Sequence, residues 1–191
     1  MRLSLGILCI AVSTAGACSG DPPDKEIQQA QSAIEAARAG GAERYATSEL
    51  TAAQQTLAHA REAVGERDYR LALSYALDAR ERAQTATKEA MDRKVALRDE
   101  AERNLGSAQT ALAAARNRLK TAEASKIPAR ALAEARSNVA TGEGRVQEAR
   151  TAFEQGNFEA AGTAASQAAN SLAQTARDLD ALIAPPGRRR G

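Results

Sequence analysis

Residues 68–90, which read DYRLALSYALDARERAQTATKEA, decide the fold. Within this stretch alanine recurs at alternating steps of three and four residues, at Ala72, Ala76, Ala79, Ala83, Ala86 and Ala90. That spacing brings one residue per turn to the same face of an α-helix, as in coiled coils. A strand needs a repeat of two instead. The stretch therefore predicts a helix that packs against other helices along a stripe of alanines, called a seam below.

The composition of the whole chain favours an all-α fold. Alanine supplies 47 of the 191 residues, while there are only three Tyr, two Phe, one His and no Trp. Alanine is the strongest helix former, and aromatic residues, which are enriched in strands, are scarce. Lys and Arg total 26 against 24 Asp and Glu, so the formal net charge is +2. A balance of this kind argues against nucleic acid as a partner.

Glycine, proline and polar residues divide the chain into five predicted helices. The first ends at Gly40-Gly41, since glycine commonly follows a helix C-terminus. Thr47-Ser48 are candidate N-caps of the second helix, which ends at Gly65, and Asp68 is the candidate N-cap of the third. The predicted seams of the first two helices are Ile27, Ala30, Ile34 and Ala37, then Leu50, Ala53, Leu57, Ala60 and Val64.

The third predicted helix is unusually long. No proline interrupts residues 68–122, a span of 55 residues, and at about 1.5 Å per residue it extends ~80 Å. Its seam slips in phase across the charge-rich residues 88–103, which resembles a stutter in a coiled coil. Beyond the slip the seam returns at Leu105, Ala108, Leu112, Ala115, Leu119 and Ala122.

Two further helices complete the predicted set. Pro128 suits the first turn of the fourth helix, and Gly156-Asn157 separates the fourth helix from the fifth. Gly142 falls on the fourth seam, where we interpret it as a small, alanine-like packing residue. The fourth seam is Leu132, Ala135, Val139, Gly142, Val146, Ala149 and Phe153, and the fifth is Phe158, Ala161, Ala165, Ala168, Leu172, Thr175, Leu179 and Leu182.

The sequence also contains an internal similarity. AQSAIEAAR at 30–38 matches AQTALAAAR at 108–116, and residues 57–79 match residues 146–168 at seam positions. We therefore expect two tandem antiparallel three-helix bundles that share one long central helix. The predicted segments are a first repeat at 25–90, a charged connection at 91–104, a second repeat at 105–184 and a basic tail at 185–191.

The N-terminus resembles a secretory signal peptide. Arg2 precedes an apolar stretch at 3–12, and Ala15-Gly16-Ala17 then stand before Cys18. Cleavage at Ala17 by an ordinary signal peptidase is one interpretation. We favour the other, in which residues 1–17 form a lipoprotein-type signal, Cys18 is lipidated, and residues 18–24 are a spacer. Cys9 would be removed with the signal, so the mature chain would have one cysteine and could form no internal disulfide. Lipidation would give the remaining thiol, that of Cys18, a role.

No residue pattern points to catalysis, a metal or a cofactor. His59 has no neighbouring cysteine or second histidine in its helix, so we expect a surface residue rather than a ligand. Asp99, Glu100 and Glu102 alternate with arginines, which is typical of a solvated helix face. The Arg188–Arg190 tail can touch polyanionic surfaces but is equally a loose terminus.

Residues 27–90 resemble the bacterial domain of unknown function 4398. The resemblance is carried by AQSAIEAARAGGAERYATSELTAAQQTLAHAREAVGERDYRLALSYALDARERA at 30–83, and a second, diverged copy would follow it. The resemblance implies an Ala- and Arg-rich helical domain behind a secretory or lipoprotein signal. It implies no activity and no catalytic residues.

Together these observations predict a non-enzymatic, lipid-anchored protein of the bacterial cell envelope. Ser19 rather than Asp follows Cys18, and resemblance to enterobacterial sorting rules then implies anchoring in the outer membrane, facing the periplasm; a soluble periplasmic or secreted form stays open. The helices would act as a spacer, scaffold or protein-interaction element, with the membrane and an envelope protein as partners and no small-molecule substrate. The alternative is an accessory subunit of an export, adhesion or cell-wall complex.

Overall fold

A computed structural model of the protein describes residues 20–184, and every regular element in this range is an α-helix. The all-α fold class is therefore confirmed. The helices are α1 Asp24–Ala39, α2 Ala42–Tyr45, α3 Thr47–Gly65, α4 Tyr69–Ala124, α5 Ala133–Glu154 and α6 Phe158–Ile183. The described chain divides into two compact units after Thr87, within α4.

The first unit consists of α1, α2, α3 and the first part of α4. Gln31 of α1 accepts a hydrogen bond from Arg61 of α3, and Gln29 of α1 accepts one from Arg80 of α4 at 2.8 Å. Gly40, directly after α1, approaches Thr87 of α4, so the contacts advance together along α1 and α4, whereas the short connection at 40–46 reverses the chain between α1 and α3. The first unit is therefore a three-helix arrangement in which consecutive long helices are antiparallel.

The second unit repeats this arrangement with the rest of α4, α5 and α6. Arg136 of α5 binds Glu123 of α4 at 2.8 Å, and Arg118 of α4 binds Asp180 of α6 at 2.8 Å. Here too the consecutive helices are antiparallel. The three largest fully buried side chains of the described residues, Leu132, Leu172 and Leu179, all lie in this unit.

The predicted seams form the cores of the two units. Nearly every alanine assigned to a seam is fully buried, including Ala72, Ala76, Ala79, Ala83, Ala86 and Ala90 of α4. The next fully buried residue of α4 is Ala101, 11 residues after Ala90. A step of 11 residues gives about 3.67 residues per turn, so the phase slip in α4 has the spacing of a stutter.

The start of α3 differs from the prediction, whereas the start of α4 agrees with it. Thr47 does not cap α3, because its hydroxyl donates to the carbonyl of Glu43 at 2.9 Å. That carbonyl belongs to α2, a short helix that the sequence did not predict. One residue, Ala46, separates α2 from α3. By contrast, the Asp68 carboxylate accepts a hydrogen bond from the backbone N–H of Leu71 at 3.0 Å, so its predicted capping role is confirmed.

The predicted start of the fourth helix and the end of the last seam are wrong. Pro128 lies outside α5, which begins at Ala133, and backbone hydrogen bonds three residues apart turn the chain from Pro128 to Ala133. This turn buries Leu132 with Ala122, Ala135 and Leu179. At the end of α6, Leu182 is 41% exposed, while its neighbour Ile183 packs on the same cluster.

Candidate functional site

The predicted signal peptide at 1–17, the lipidation site Cys18 and the basic tail at 185–191 lie outside the described residues. Of the predicted spacer, Gly20 to Pro23 are described, and α1 begins directly after them at Asp24. Cys18 is thus six residues before the first helix. None of the helices α1 to α6 has the length and apolar character needed to cross a bilayer.

The single histidine lies on the surface, as predicted. The His59 side chain is 57% exposed, and Nδ1 lies 3.1 Å from the Glu62 carboxylate of the same helix. Its ring also contacts Tyr75 of α4, with ring centroids 5.6 Å apart. The ring contact joins α3 to α4, and the Glu62 contact lies within α3.

The acidic cluster of α4 is also a solvated surface. Asp99, Glu100 and Glu102 are all exposed, as are Arg98 and Arg103. Between residues 20 and 184, no three His, Cys, Asp or Glu side chains are grouped so that they could hold a metal ion. The cluster therefore supplies surface charge.

One polar side chain that lines the cleft between α4 and α6 bridges the two helices. It has a volume of about 280 Å³ and lies beside Asn104, Phe158 and Gly162. The Asn104 amide donates to the Gly162 carbonyl at 3.2 Å, and a Cβ on Gly162 would lie 3.6 Å from Cα of Ala101. These contacts indicate that the small residue serves close packing of the two helices.

Exposed large apolar side chains are the features that sequence reasoning missed. Leu73 and Leu77 are 37% and 41% exposed, and Met91 and Val95 are 57% and 59% exposed. Within each pair the two side chains are four residues apart, about one turn, so they lie on one side of α4. A helical projection around the alanine seam would have found them, because they fall away from its buried face. Contiguous exposed apolar patches mark contact surfaces, whereas apolar side chains exposed singly are ordinary.

Comparison with known families locates one domain in the chain. Residues 25–102 match the model of the family described as Domain of unknown function (DUF4398), so the resemblance found at residues 27–90 is confirmed. The matched range begins in the first turn of α1, contains the remainder of the first unit, and ends within α4. No curated protein and no solved structure matches the sequence.

Proposed function

We propose that this protein is a non-enzymatic lipoprotein of the bacterial cell envelope, anchored through Cys18, whose helical units act as a spacer, scaffold or protein-interaction element. The observation that carries the proposal is the N-terminal pattern. Arg2 precedes the apolar residues 3–12, and three small residues, Ala15-Gly16-Ala17, stand directly before Cys18. This order of charge, apolar stretch and small residues is that of a secretory signal with its cleavage site.

The chemistry of the anchor follows from the position of Cys18. In lipoproteins the thiol of this cysteine is joined to diacylglycerol through a thioether bond, and the α-amine that cleavage frees at the cysteine is acylated. Each buried CH₂ contributes about 0.8 kcal/mol, and two acyl chains suffice for stable membrane attachment. By analogy with enterobacterial sorting, Ser19 after the cysteine favours the periplasmic face of the outer membrane.

The side-chain interactions of the second unit support a structural role. Arg116, Arg118 and Arg136 each pair with a carboxylate on a neighbouring helix, and all three pairs are partly exposed. Exposed pairs of this kind contribute little stability, about 0–1 kcal/mol each, but opposite charges across neighbouring helices favour one pairing and register over others. Ion pairs that fix how neighbouring helices pair support a scaffold role.

Metabolic labelling tests the anchor. Cells fed an alkyne-tagged palmitate should label the wild-type protein, and Cys18→Ala should abolish the label and release the protein from membranes. Cys9→Ala is the matched control: it removes the only other cysteine, which lies within the cleaved segment, so labelling should persist. A wild-type protein that carries no label and fractionates with soluble proteins would contradict the proposal.

A second candidate is an accessory subunit of an envelope complex, and one surface favours it. Met91 and Val95 are more than half exposed and lie one turn apart on α4, as helix-in-groove anchors do. A photo-crosslinking residue at Met91 should capture one defined envelope protein, whereas the same residue at the exposed Glu89, on another side of α4, should not. Equal capture at both positions would favour the passive spacer.

A further inference from the structure

One end of the first unit lies close to the proposed anchor in the sequence. α1 begins, α3 ends and α4 begins at this end, because α1 and α3 are antiparallel while α1 and α4 run together. The six residues from Cys18 to Asp24 reach at most about 20 Å when fully extended. An anchor at Cys18 therefore keeps the first turns of α1 and α4 near the membrane surface.

Two leucines are exposed on α4 near this end. Leu73 and Leu77 are 37% and 41% exposed, and they are one turn apart on the side of α4 that carries Arg80. Leu77 is eight residues after Tyr69, so it lies about 12 Å along the helix from its first residue. Leu71 lies on the other side of α4 and is not part of this surface.

Positive charges border the two leucines. Arg70 and Arg80 stand three residues before Leu73 and three residues after Leu77, on the same side of α4. Lys25 is one turn before Gln29, the residue of α1 that binds Arg80. Two acidic residues follow Leu77: Asp78 pairs with Arg82 at 3.1 Å, while Glu81, one turn after Leu77, is exposed on the same side of α4. The surface formed by Lys25, Arg70, Leu73, Leu77 and Arg80 is called the leucine flank below.

We propose that the leucine flank lies against the membrane that carries the anchor, with Leu73 and Leu77 inserted at the headgroup level. Apolar side chains framed by lysine and arginine are the pattern by which helices lie in a lipid interface. Basic residues near an anionic surface add to the attraction. The inference rests on the proposed lipid anchor, which supplies proximity, while the flank orients the first unit on the surface.

Single tryptophans test the proposal, because the natural chain contains no Trp. The lipidated mature protein is reconstituted into phosphatidylethanolamine–phosphatidylglycerol vesicles with or without brominated acyl chains. In the Leu73→Trp and Leu77→Trp variants, the brominated vesicles should quench about half of the emission, because an interfacial residue lies within ~5–10 Å of the acyl boundary. Leu71→Trp is the matched control in the same unit, at a leucine that is 39% exposed on the other side of α4, and it should not be quenched.

Quenching that is equal at Leu71, Leu73 and Leu77, or absent at Leu73 and Leu77, would overturn the leucine flank. A blue shift without quenching that grows with protein concentration would also overturn it, in favour of self-association. If labelling shows that Cys18 carries no lipid, the proposed function fails separately. The flank is then tested with the mature chain coupled through the Cys18 thiol to a maleimide lipid, with the same outcomes.

Discussion

The side chain of Leu172 in α6 fills the space that a side chain on Gly142 in α5 would need. A Cβ atom on Gly142 would lie 2.5 Å from Cδ2 and 2.7 Å from Cγ of Leu172, and Leu172 is fully buried. The sequence predicted an alanine-like residue at position 142. The structure confirms a small packing residue here and narrows the choice to glycine, because even a methyl group does not fit unless Leu172 moves.

Gly142→Ala should therefore destabilise the second unit. Overpacking a core costs about 1–3 kcal/mol, and replacing a helical glycine by alanine returns about 1 kcal/mol, so we expect a net loss of about 1 kcal/mol. Urea unfolding followed by circular dichroism measures the change. Gly144→Ala is the control: it lies two residues away in α5 with nothing within 4 Å of its Cβ position, and it should stabilise.

The same experiment in a Leu172→Ala background isolates the contact. With the leucine shortened, Gly142→Ala should become stabilising, as Gly144→Ala is. If Gly142→Ala raises stability in the wild-type background as well, the close approach of α5 and α6 at this point is wrong.

The starts of α3 and α4 predict different changes in stability when the side chains of Thr47 and Asp68 are removed. Asp68→Ala should lower the free energy of unfolding by about 1 kcal/mol, since the Asp68 carboxylate accepts a hydrogen bond from the first turn of α4 and N-caps contribute that much. Thr47→Ala should stay within about 0.5 kcal/mol of the wild type, as surface substitutions do, because Thr47 donates to a carbonyl of α2 and caps no amide of α3. Thermal unfolding of both variants distinguishes the two roles, and a larger loss for Thr47→Ala would contradict them.

The spacing of apolar residues and the positions of glycines predicted those features that depend on one local segment of the chain. Ala30, Ile34 and Ala37 are buried as the three-four repeat requires, and Gly41 adopts a left-handed conformation, φ 92°, directly after Gly40, where α1 was predicted to end. These features follow from periodicity and from the conformational freedom of glycine, both of which are visible in one segment of chain.

Features that depend on distant residues could not be predicted in the same way. Leu132 is buried as its predicted seam position requires, but it lies in a turn before α5 and packs there against Leu179 of α6; no local pattern near Pro128 indicates this late helix start. The leucine flank could be predicted from the sequence only in part. Leu73 and Leu77 fall away from the seam in a helical projection, but their position beside α1 depends on the Arg80–Gln29 contact.

The turn between α5 and α6 is held by an aromatic pair whose coupling can be measured. Phe153 and Phe158 meet edge to face, with ring centroids 5.2 Å apart and planes at 62°. Phe153→Ala and Phe158→Ala should each lower the melting temperature, and a double-mutant cycle should give a coupling of about 0.5–1.5 kcal/mol. Phe153→Leu keeps apolar volume but removes the ring, so it should lose the coupling and retain part of the stability. Additive effects of the two alanine variants would show that the rings act independently.

Small seam residues are needed because the helices leave no room for larger ones. Ala60 of α3 is fully buried, whereas Ala58, two residues earlier, is exposed. Ala60→Leu should cost about 1–3 kcal/mol, because added methylenes in a packed core force neighbours apart. Ala58→Leu should stay within about 0.5 kcal/mol of the wild type. Both variants are compared by urea unfolding at equal protein concentration. If Ala60→Leu stabilises the protein, the seam contains unfilled space and close helix packing does not explain why alanine occupies it.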